Sequence, residues 1–561
     1  MPKLLNRFVN RRATVTLCAA LAGITAAALP STASASSSQI VMIEDGNEVG
    51  VSSAGTDATF EQFRALGANT ARIIVQWSQI APDQKSFRRP KFDATNPNAY
   101  PSANWTPYDN AVRSAHKYGI TVDFTVTGGP PQWAEARVPG GYDPYFAYKP
   151  NASEYGRFFQ AVATRYNGHF TPSHASSALP RVHFWTIFNE PNFGEDLGPQ
   201  AIDGSRISVG PMLYRAILNA GWSALHRTGH GRDTILIGGF AARGIGPGRP
   251  TRRAPQGYPG DFGQTKPLQY IRTLYCVDGR YRELRGNYAK QRGCPTTASA
   301  SRRFRSQNPA LFSASGMSDH PYPSNGSPVT DGRGDPDYAT FPDLGNLART
   351  LDQVNRAYGS GKRFAIYNDE YGYITNPPNR APCRRCAPYP SPATAAYYIN
   401  WAEYLSYKNP RLKSYMQYLL LDPGPNRGVY AGFASGLLTY RGQKKATYYA
   451  FNLPVYMPRT SFSRRQSVEV WGDARPAPFM SRDRNGPQSV QIQLQSRGRG
   501  RYQNVDTVRI NRSGGYFDTK LKFKASGNLR LAYKYPSADP FLPVGVAGTT
   551  IYSRSFAIRV H

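Results

Sequence analysis

The 561-residue sequence is short of acid and of cysteine: it holds 36 Asp and Glu against 68 Lys and Arg, and 5 Cys. So few cysteines exclude a small disulfide-stapled scaffold, which a chain of this length does not need. Apart from an apolar run at residues 13–29, no stretch approaches 18 consecutive apolar residues, so the sequence predicts no membrane span. No G-x-x-x-x-G-K-[ST] pattern is present, which removes the common phosphate-binding loop. No repeat of fixed period and no long low-complexity tract occurs, which sets aside solenoids and arrays.

What is present is enough apolar material for a core. The hydrophobic fraction is 40% and the aromatic fraction 13%, with 37 Tyr and 27 Phe. A disordered basic protein lacks that apolar surface and cannot offset the entropy of ordering. The formal net charge of +32 calls for its own explanation: nucleic acid, an anionic surface, an acidic substrate, or an arginine-rich proteome.

The first 35 residues read as a secretory signal peptide. Lys3, Arg7, Arg11 and Arg12 precede an Ala/Leu-rich run and an Ala33-Ser34-Ala35 cleavage site. Export then predicts an extracellular protein, and cleavage near Ala35 removes four basic residues and no acid, so the basic excess belongs to the mature chain. Four cysteines remain: Cys276, Cys294, Cys383 and Cys386. An even number in an exported chain favours disulfides. Three pairings are open, of which Cys276–Cys294 with Cys383–Cys386 is preferred because each pair brackets a Gly/Pro/Arg-rich loop. A four-cysteine zinc site is the weaker alternative. Its second half has C-x-x-C spacing, but the gap between Cys276 and Cys294 fits no such motif. No metal or other cofactor is expected.

Along the chain, eight short apolar runs alternate with amphipathic stretches. The runs are Ile40–Ile43, Thr70–Gln76, Thr121–Thr127, Val182–Phe188, Thr234–Phe240, Met317–His320, Phe364–Tyr367 and Tyr415–Leu421. Helical patterns such as Ala58–Leu66, Pro107–Tyr118, Ala152–Tyr166, Pro211–Thr228 and Ala393–Tyr407 lie between them. Repeated β-then-α alternation predicts parallel strands with helices outside, and eight units predict a (β/α)8 barrel over residues 36–460. Two long loops, Ala241–Ser315 and Asn376–Pro392, are expected to decorate the C-terminal face, where such barrels build their sites. From about Ser461 to residue 561 the pattern changes to short alternating segments with Gly, Pro and Asn between them, which predicts an antiparallel β-sandwich. The run Arg497-Gly-Arg-Gly-Arg501 falls in a predicted hairpin turn of that region and reads as a solvated turn.

Two strand ends carry the chemistry. In Trp185-Thr-Ile-Phe-Asn189-Glu190-Pro191-Asn192 an apolar strand stops at a proline and delivers Glu190 to its mouth. In Phe364-Ala-Ile-Tyr-Asn-Asp369-Glu370-Tyr371-Gly372 the seventh strand delivers Glu370 in the same way. Two carboxylates converging on one barrel mouth suit glycoside hydrolysis, with one as proton donor and the other as nucleophile or base. Trp133, after Gly128-Gly-Pro-Pro-Gln, offers a face on which a sugar ring can stack.

With these two motifs the sequence resembles the clan of retaining (β/α)8 glycoside hydrolases that includes the cellulase-like family 5 and the xylosidase-like family 39. The resemblance covers most of residues 40–455. It implies Glu190 as general acid/base, Glu370 as nucleophile and Asn189 as the amide that hydrogen-bonds the sugar 2-hydroxyl. It also implies that Arg72 orients the nucleophile and that His320 and Tyr322, in Asp-His-Pro-Tyr-Pro after strand six, stand near it. There are two departures: the third strand lacks the histidine of many family 5 enzymes, and strand eight ends in Tyr418-Leu-Leu-Leu-Asp422 where the clan has Trp.

The expectation is therefore a secreted retaining glycosidase acting on a poly- or oligosaccharide by double displacement. The basic charge leaves room for an anionic glycan. A transglycosidase would use the same two acids. A noncatalytic binder of an anionic glycan or cell envelope is the rival from another class, and specific nucleic-acid binding is disfavoured because the basic residues are dispersed.

Overall fold

The computed structural model describes residues 39–138, 143–173, 175–201, 205–245, 263–323, 325–330, 334–380, 387–425, 432–511 and 514–561. The predicted signal segment and the Cys383–Cys386 pair lie outside the described residues.

Eight parallel strands form one sheet: β1 (Ile40–Glu44), β2 (Thr70–Gln76), β3 (Thr121–Thr127), β4 (Phe184–Ile187), β5 (Thr234–Ala241), β6 (Gly316–His320), β7 (Ala365–Asn368) and β8 (Ser414–Tyr418). They pair in the order β7-β6-β5-β4-β3-β2-β1-β8. A parallel bridge between Ile366 and Leu412 closes the cylinder between β7 and β8. This is the expected (β/α)8 barrel. The outward strand faces are apolar and buried, as in Ile73, Val75, Ile235 and Ile237, because parallel strands are covered on both sides.

The barrel interior is unusually polar for this architecture, which normally fills with branched aliphatics. Asp123, Thr125, Thr186, Ser318 and Asp369 are all fully buried. The Thr186 hydroxyl donates to Asp123 at 3.1 Å, and the Ser318 hydroxyl donates to Asp369. Burial, reinforced by the charge of Asp369, pushes the Asp123 pKa up to about 8.

Helices cover the barrel where the sequence places them, with small shifts at the ends. Ser53–Leu66 starts at a Ser52 side chain that accepts from the Gly55 amide. Ala152–Arg165 starts at Asn151, whose side chain accepts from the Ser153 and Glu154 amides. These caps satisfy amides that the first helical turn leaves unpaired. The helix predicted from Pro107 begins instead at Ser102, so Pro107 lies inside it.

The segment Ala241–Ser315 is not, as expected, mainly decoration of the mouth. Much of it forms the outer helical layer, in helices Pro267–Leu274, Gly286–Lys290 and Ala298–Gln307. Leu268, Ile271 and Leu274 are buried, the helical spacing needed to cover β5. Cys276 and Cys294 form a disulfide at the end of this layer. Arg215, from the helix Gly210–Arg227, ties the layer down by donating to the carbonyls of Leu274 at 2.8 Å and Gly293 at 2.9 Å.

The C-terminal region packs two sheets. One joins β14 (Tyr516–Leu521), β11 (Val468–Asp473) and β9 (Val455–Tyr456). The other runs β10 (Ser461–Phe462), β17 (Phe556–Val560), β15 (Gly527–Lys534), β12 (Gln488–Ser496) and β13 (Gln503–Ile510), with β16 (Thr550–Tyr552) beside β15. The pairs are antiparallel except β10 with β17. Gly472 shows that the sheets face each other, since a Cβ there would stand 2.9 Å from Leu531 Cδ1. The arginine run 497–501 occupies the turn between β12 and β13.

The sandwich is fastened to the barrel by polar contacts under its apolar face. Tyr535 donates to the Ala65 carbonyl at 2.6 Å, and Arg475 holds both carboxylate oxygens of Glu403 at 2.6 Å.

Candidate active site

The strand-four end is bent into place by backbone that most residues avoid. Phe188 and Glu190 have φ of 76° and 37°, left-handed values that cost free energy and persist at functional sites when the surroundings enforce them. The Phe188 amide donates to Val126 at 3.2 Å and the Glu190 amide to Gly239 at 2.9 Å. A shift in register on β5 between Gly238 and Phe240 makes this approach feasible. Gly238 has φ of 112°, and a Cβ there would lie 2.5 Å from the Ser318 carbonyl oxygen. Asn192 locks the following turn by pairing with Ala241 through its amide nitrogen and oxygen, each at 2.9 Å.

Glu370 is gripped at both oxygens. Arg72 Nη1 donates to Oε2 at 2.9 Å and the Tyr322 hydroxyl donates to Oε1 at 2.9 Å. Burial alone would raise its pKa, but the His320 and Arg72 charges and these hydrogen bonds outweigh it and hold the pKa below the ordinary value. Glu370 is thus an anion at neutral pH. His320 is buried, which opposes its charge, yet Glu370 together with the hydrogen bond to Glu190 raises its pKa to about 9. Its Nδ1 stands 2.9 Å from Glu190 Oε1 and 3.5 Å from Glu370 Oε2.

Carboxylate oxygens of Glu190 and Glu370 and a ring nitrogen of His320 all lie within 4.8 Å of one another. One oxygen of each carboxylate thus approaches the other closely, as the short carboxyl separation of retaining glycosidases, roughly 5–5.5 Å, requires. This trio is also the group that could hold a metal ion among the described residues. The imidazolium and the Arg72 guanidinium oppose a cation there.

Of the residues singled out in the sequence, Arg72, Asn189, Glu190, His320, Tyr322 and Glu370 converge. Asn189 is pinned at both ends: its Oδ1 accepts from Arg72 Nη2 at 2.6 Å and its Nδ2 donates to Asp196 at 2.8 Å. One amide hydrogen remains for a sugar hydroxyl. Trp133 does not join them. Its indole donates to the Pro82 carbonyl at 3.0 Å and packs edge-on against Trp77 and Phe92, outside the residues that line the cavities. The missing strand-eight Trp is replaced by Tyr418, against which Phe433 packs at 5.4 Å.

Two cavities meet at Glu190, Glu370 and Tyr418. The larger, about 470 Å³, is lined by Arg243, Gln264, Tyr322, Asn325, Tyr373 and Phe433, among others. The narrower, about 220 Å³, adds Glu44, Arg72, Gln76, Thr127, Asn189 and Asp196. Glu44 has a signal in the sequence: it follows the Ile40–Ile43 run just as Glu190 and Glu370 follow theirs. Asp196 carries no such signal, because the loop after β4 determines where it falls.

No protein-family model matches the sequence, and no curated protein matches it. Among solved structures the chain is similar to the family 1 β-glucosidase of Thermotoga maritima, at 14% identity and a TM-score of 0.40, covering 71% of this chain and 85% of that one. It is similar to the endo-β-1,4-mannanase of Thermotoga petrophila at 12% identity and a TM-score of 0.38, covering 94% and 98%. The exo-β-1,4-mannosidase Op5Man5 of an Opitutaceae bacterium matches at 15% identity and a TM-score of 0.39, covering 74% and 58%.

Proposed function

We propose that this protein is an exported retaining glycoside hydrolase of poly- or oligosaccharides, with Glu370 as nucleophile and Glu190 as acid/base. The observation that carries the reading is the close pair of carboxylates at one barrel mouth, with one of them, Glu370, held as an anion by Arg72, Tyr322 and His320. Export rests on the N-terminal residues alone, with their basic start, apolar run and Ala33-Ser34-Ala35 site.

In the first step a Glu370 oxygen bonds to the anomeric carbon as the glycosidic C–O bond breaks, and Glu190 gives its proton to the leaving oxygen. In the second, Glu190 takes a proton from water, the water oxygen bonds to the anomeric carbon, and the Glu370 ester bond breaks. Ester formation removes the Glu370 charge beside Glu190, which favours Glu190 in its second role as base. The His320 imidazolium donates from Nδ1 to Glu190 Oε1 at 2.9 Å and aims that carboxyl.

Separate Glu190→Gln and Glu370→Gln variants should each lose on the order of 1,000-fold or more in turnover on whichever aryl glycoside or polysaccharide the protein cleaves, while remaining folded. Near-parental turnover in either variant would refute the assignment.

A further inference from the structure

We propose that the outward face of the six-stranded sheet in the C-terminal sandwich is a binding surface for an anionic polysaccharide, separate from the two cavities at the barrel mouth. The inference goes beyond the glycosidase reading, since nothing in it requires the cleft.

The charges of residues 461–561 are sorted by side. Among the acids there, Asp483 pairs with Arg64, Glu469 and Asp518 pair with Lys408, and Asp473 pairs with Arg475, which also holds Glu403. Arg64 lies on the barrel helix Ser53–Leu66, and Glu403 and Lys408 lie on the helix Pro392–Lys408. These acids are therefore spent where the sandwich meets the barrel. The three-stranded sheet takes that side, with Trp471 of β11 packed 5.8 Å from both Tyr404 and Tyr407, so the six-stranded sheet is the outer layer.

Alternation along β15 turns Leu529, Leu531 and Tyr533 into the core and Arg530 and Lys534 outward. Register puts Arg509 opposite Ser489 and Arg530 opposite Gln493 on that outward face. Arg559 joins them, two residues beyond Ala557, which stands opposite Asn528. None of these four cations forms an ion pair among the described residues. The nearest acid in the strands, Asp506, lies opposite the buried Ile492 and so on the reverse side. Unpaired charges of one sign on one sheet face repel each other until an anion arrives.

The face is also built to hydrogen-bond. The Arg530 guanidinium lies 3.8 Å from the ring centres of Tyr502 and Tyr552, and its Nε donates to Gln493 Oε1 at 2.9 Å. Gln493 Nε2 donates in turn to Gln491 Oε1 at 2.9 Å. A stacked guanidinium keeps its in-plane N–H groups for a carboxylate or sulfate, and no described residue accepts from the Arg530 Nη groups. Gln495, on the same face, donates to the Gly500 carbonyl at 2.8 Å. That bond holds the turn carrying Arg497, Arg499 and Arg501 at the rim. A flat sheet enters neither groove of a nucleic-acid duplex, whereas an extended sugar chain lies along it, with its anions on the arginines and its hydroxyls on the amides.

The test uses the full chain with Glu370→Gln, so that no probe is consumed. Calorimetric titration compares polygalacturonate with its methyl ester, and dextran sulfate with dextran. The charged member of at least one pair should bind about tenfold or more tightly than its neutral counterpart and weaken as salt is added. Preference for polygalacturonate identifies a carboxylate and preference for dextran sulfate a sulfate; either supports the surface. Combined Arg509→Gln, Arg530→Gln and Lys534→Gln should weaken binding about tenfold. Arg302→Gln, Arg303→Gln and Arg305→Gln, which remove the same charge from the exposed side of the barrel helix Ala298–Gln307, should change it less than about twofold. Equal weakening by both sets would reduce the effect to net charge and overturn the proposal, as would equal affinity for charged and neutral probes. Tighter binding of single- or double-stranded DNA than of either polysaccharide would overturn the choice of partner. With Glu370 intact, the sandwich variant should keep its kcat/KM on a small aryl glycoside. Loss of that turnover together with binding would place the polyanion in the cleft and overturn the separate surface, while a chain inactive on every glycoside but binding as described would count against the glycosidase reading alone.

Discussion

Two buried arginines organise this molecule, and they do different things with the same chemistry. Arg475 sits between barrel and sandwich, bonded to both oxygens of Glu403 at 2.6 Å, and near Asp473 at 3.3 Å. Tyr516 completes that carboxylate at 3.1 Å, and Phe451 packs 4.0 Å from the guanidinium. Arg72 sits at the barrel mouth with Glu44, Glu370 and Asn189, and there some oxygens stay open to a cavity. In the interface every Glu403 oxygen is spent on the protein itself. At the mouth Arg72 divides its donors among Glu44, Glu370 and Asn189, and all of these line a cavity where a ligand fits. The lesson is that burial and pairing mark structure and site alike, while the convergence of two carboxylates, Glu190 and Glu370, on one cavity marks the site.

The comparison breaks first on the arginines themselves. Arg475→Met and Arg72→Met should each destabilise the fold by about 3–5 kcal/mol, because each strands a buried carboxylate; denaturant unfolding measures this. They should then part company: Arg475→Met keeps kcat and KM in the folded fraction, whereas Arg72→Met loses nearly all turnover. Equal loss of turnover from both would erase the distinction between them.

A smaller effect sharpens the mouth alone. Tyr322→Phe removes one of the two donors to Glu370 and should lower kcat by about 10- to 100-fold, the worth of a hydrogen bond to a charged group, with KM little changed. Smaller still is the effect on His320. Glu370→Gln should bring the imidazole pKa down from about 9, followed by proton NMR of the ring. A raised folded pKa adds stability that is full below the ordinary value of 6.5 and lost as pH rises through about 9. The variant should therefore lose less stability than the parent between those limits.

The barrel was legible in the sequence because parallel strands buried on both faces leave near-continuous apolar runs, and Thr70–Gln76 and Thr121–Thr127 have the same limits in the structure. Glu190 and Glu370 were legible because each ends such a run beside a turn-forming Pro or Gly. Trp133 was misplaced because residue type suggests a sugar platform, while packing against Trp77, Phe92 and Pro82 determines where the ring goes. The disulfide loop was assigned to the mouth because its Arg, Gly and Pro content hides the apolar spacing of Leu268, Ile271 and Leu274, which commits it to the helical layer. Asp196 was invisible because it reaches Asn189 only through the path of a loop.

The central claim is that Glu190 and Glu370 act by double displacement, and the anomeric configuration of the first product tests it most directly. Proton NMR during the first minutes of cleavage, before mutarotation, should show the sugar released with the configuration of the bond that was broken. Release of the opposite anomer would mean a single displacement by water and would contradict the account.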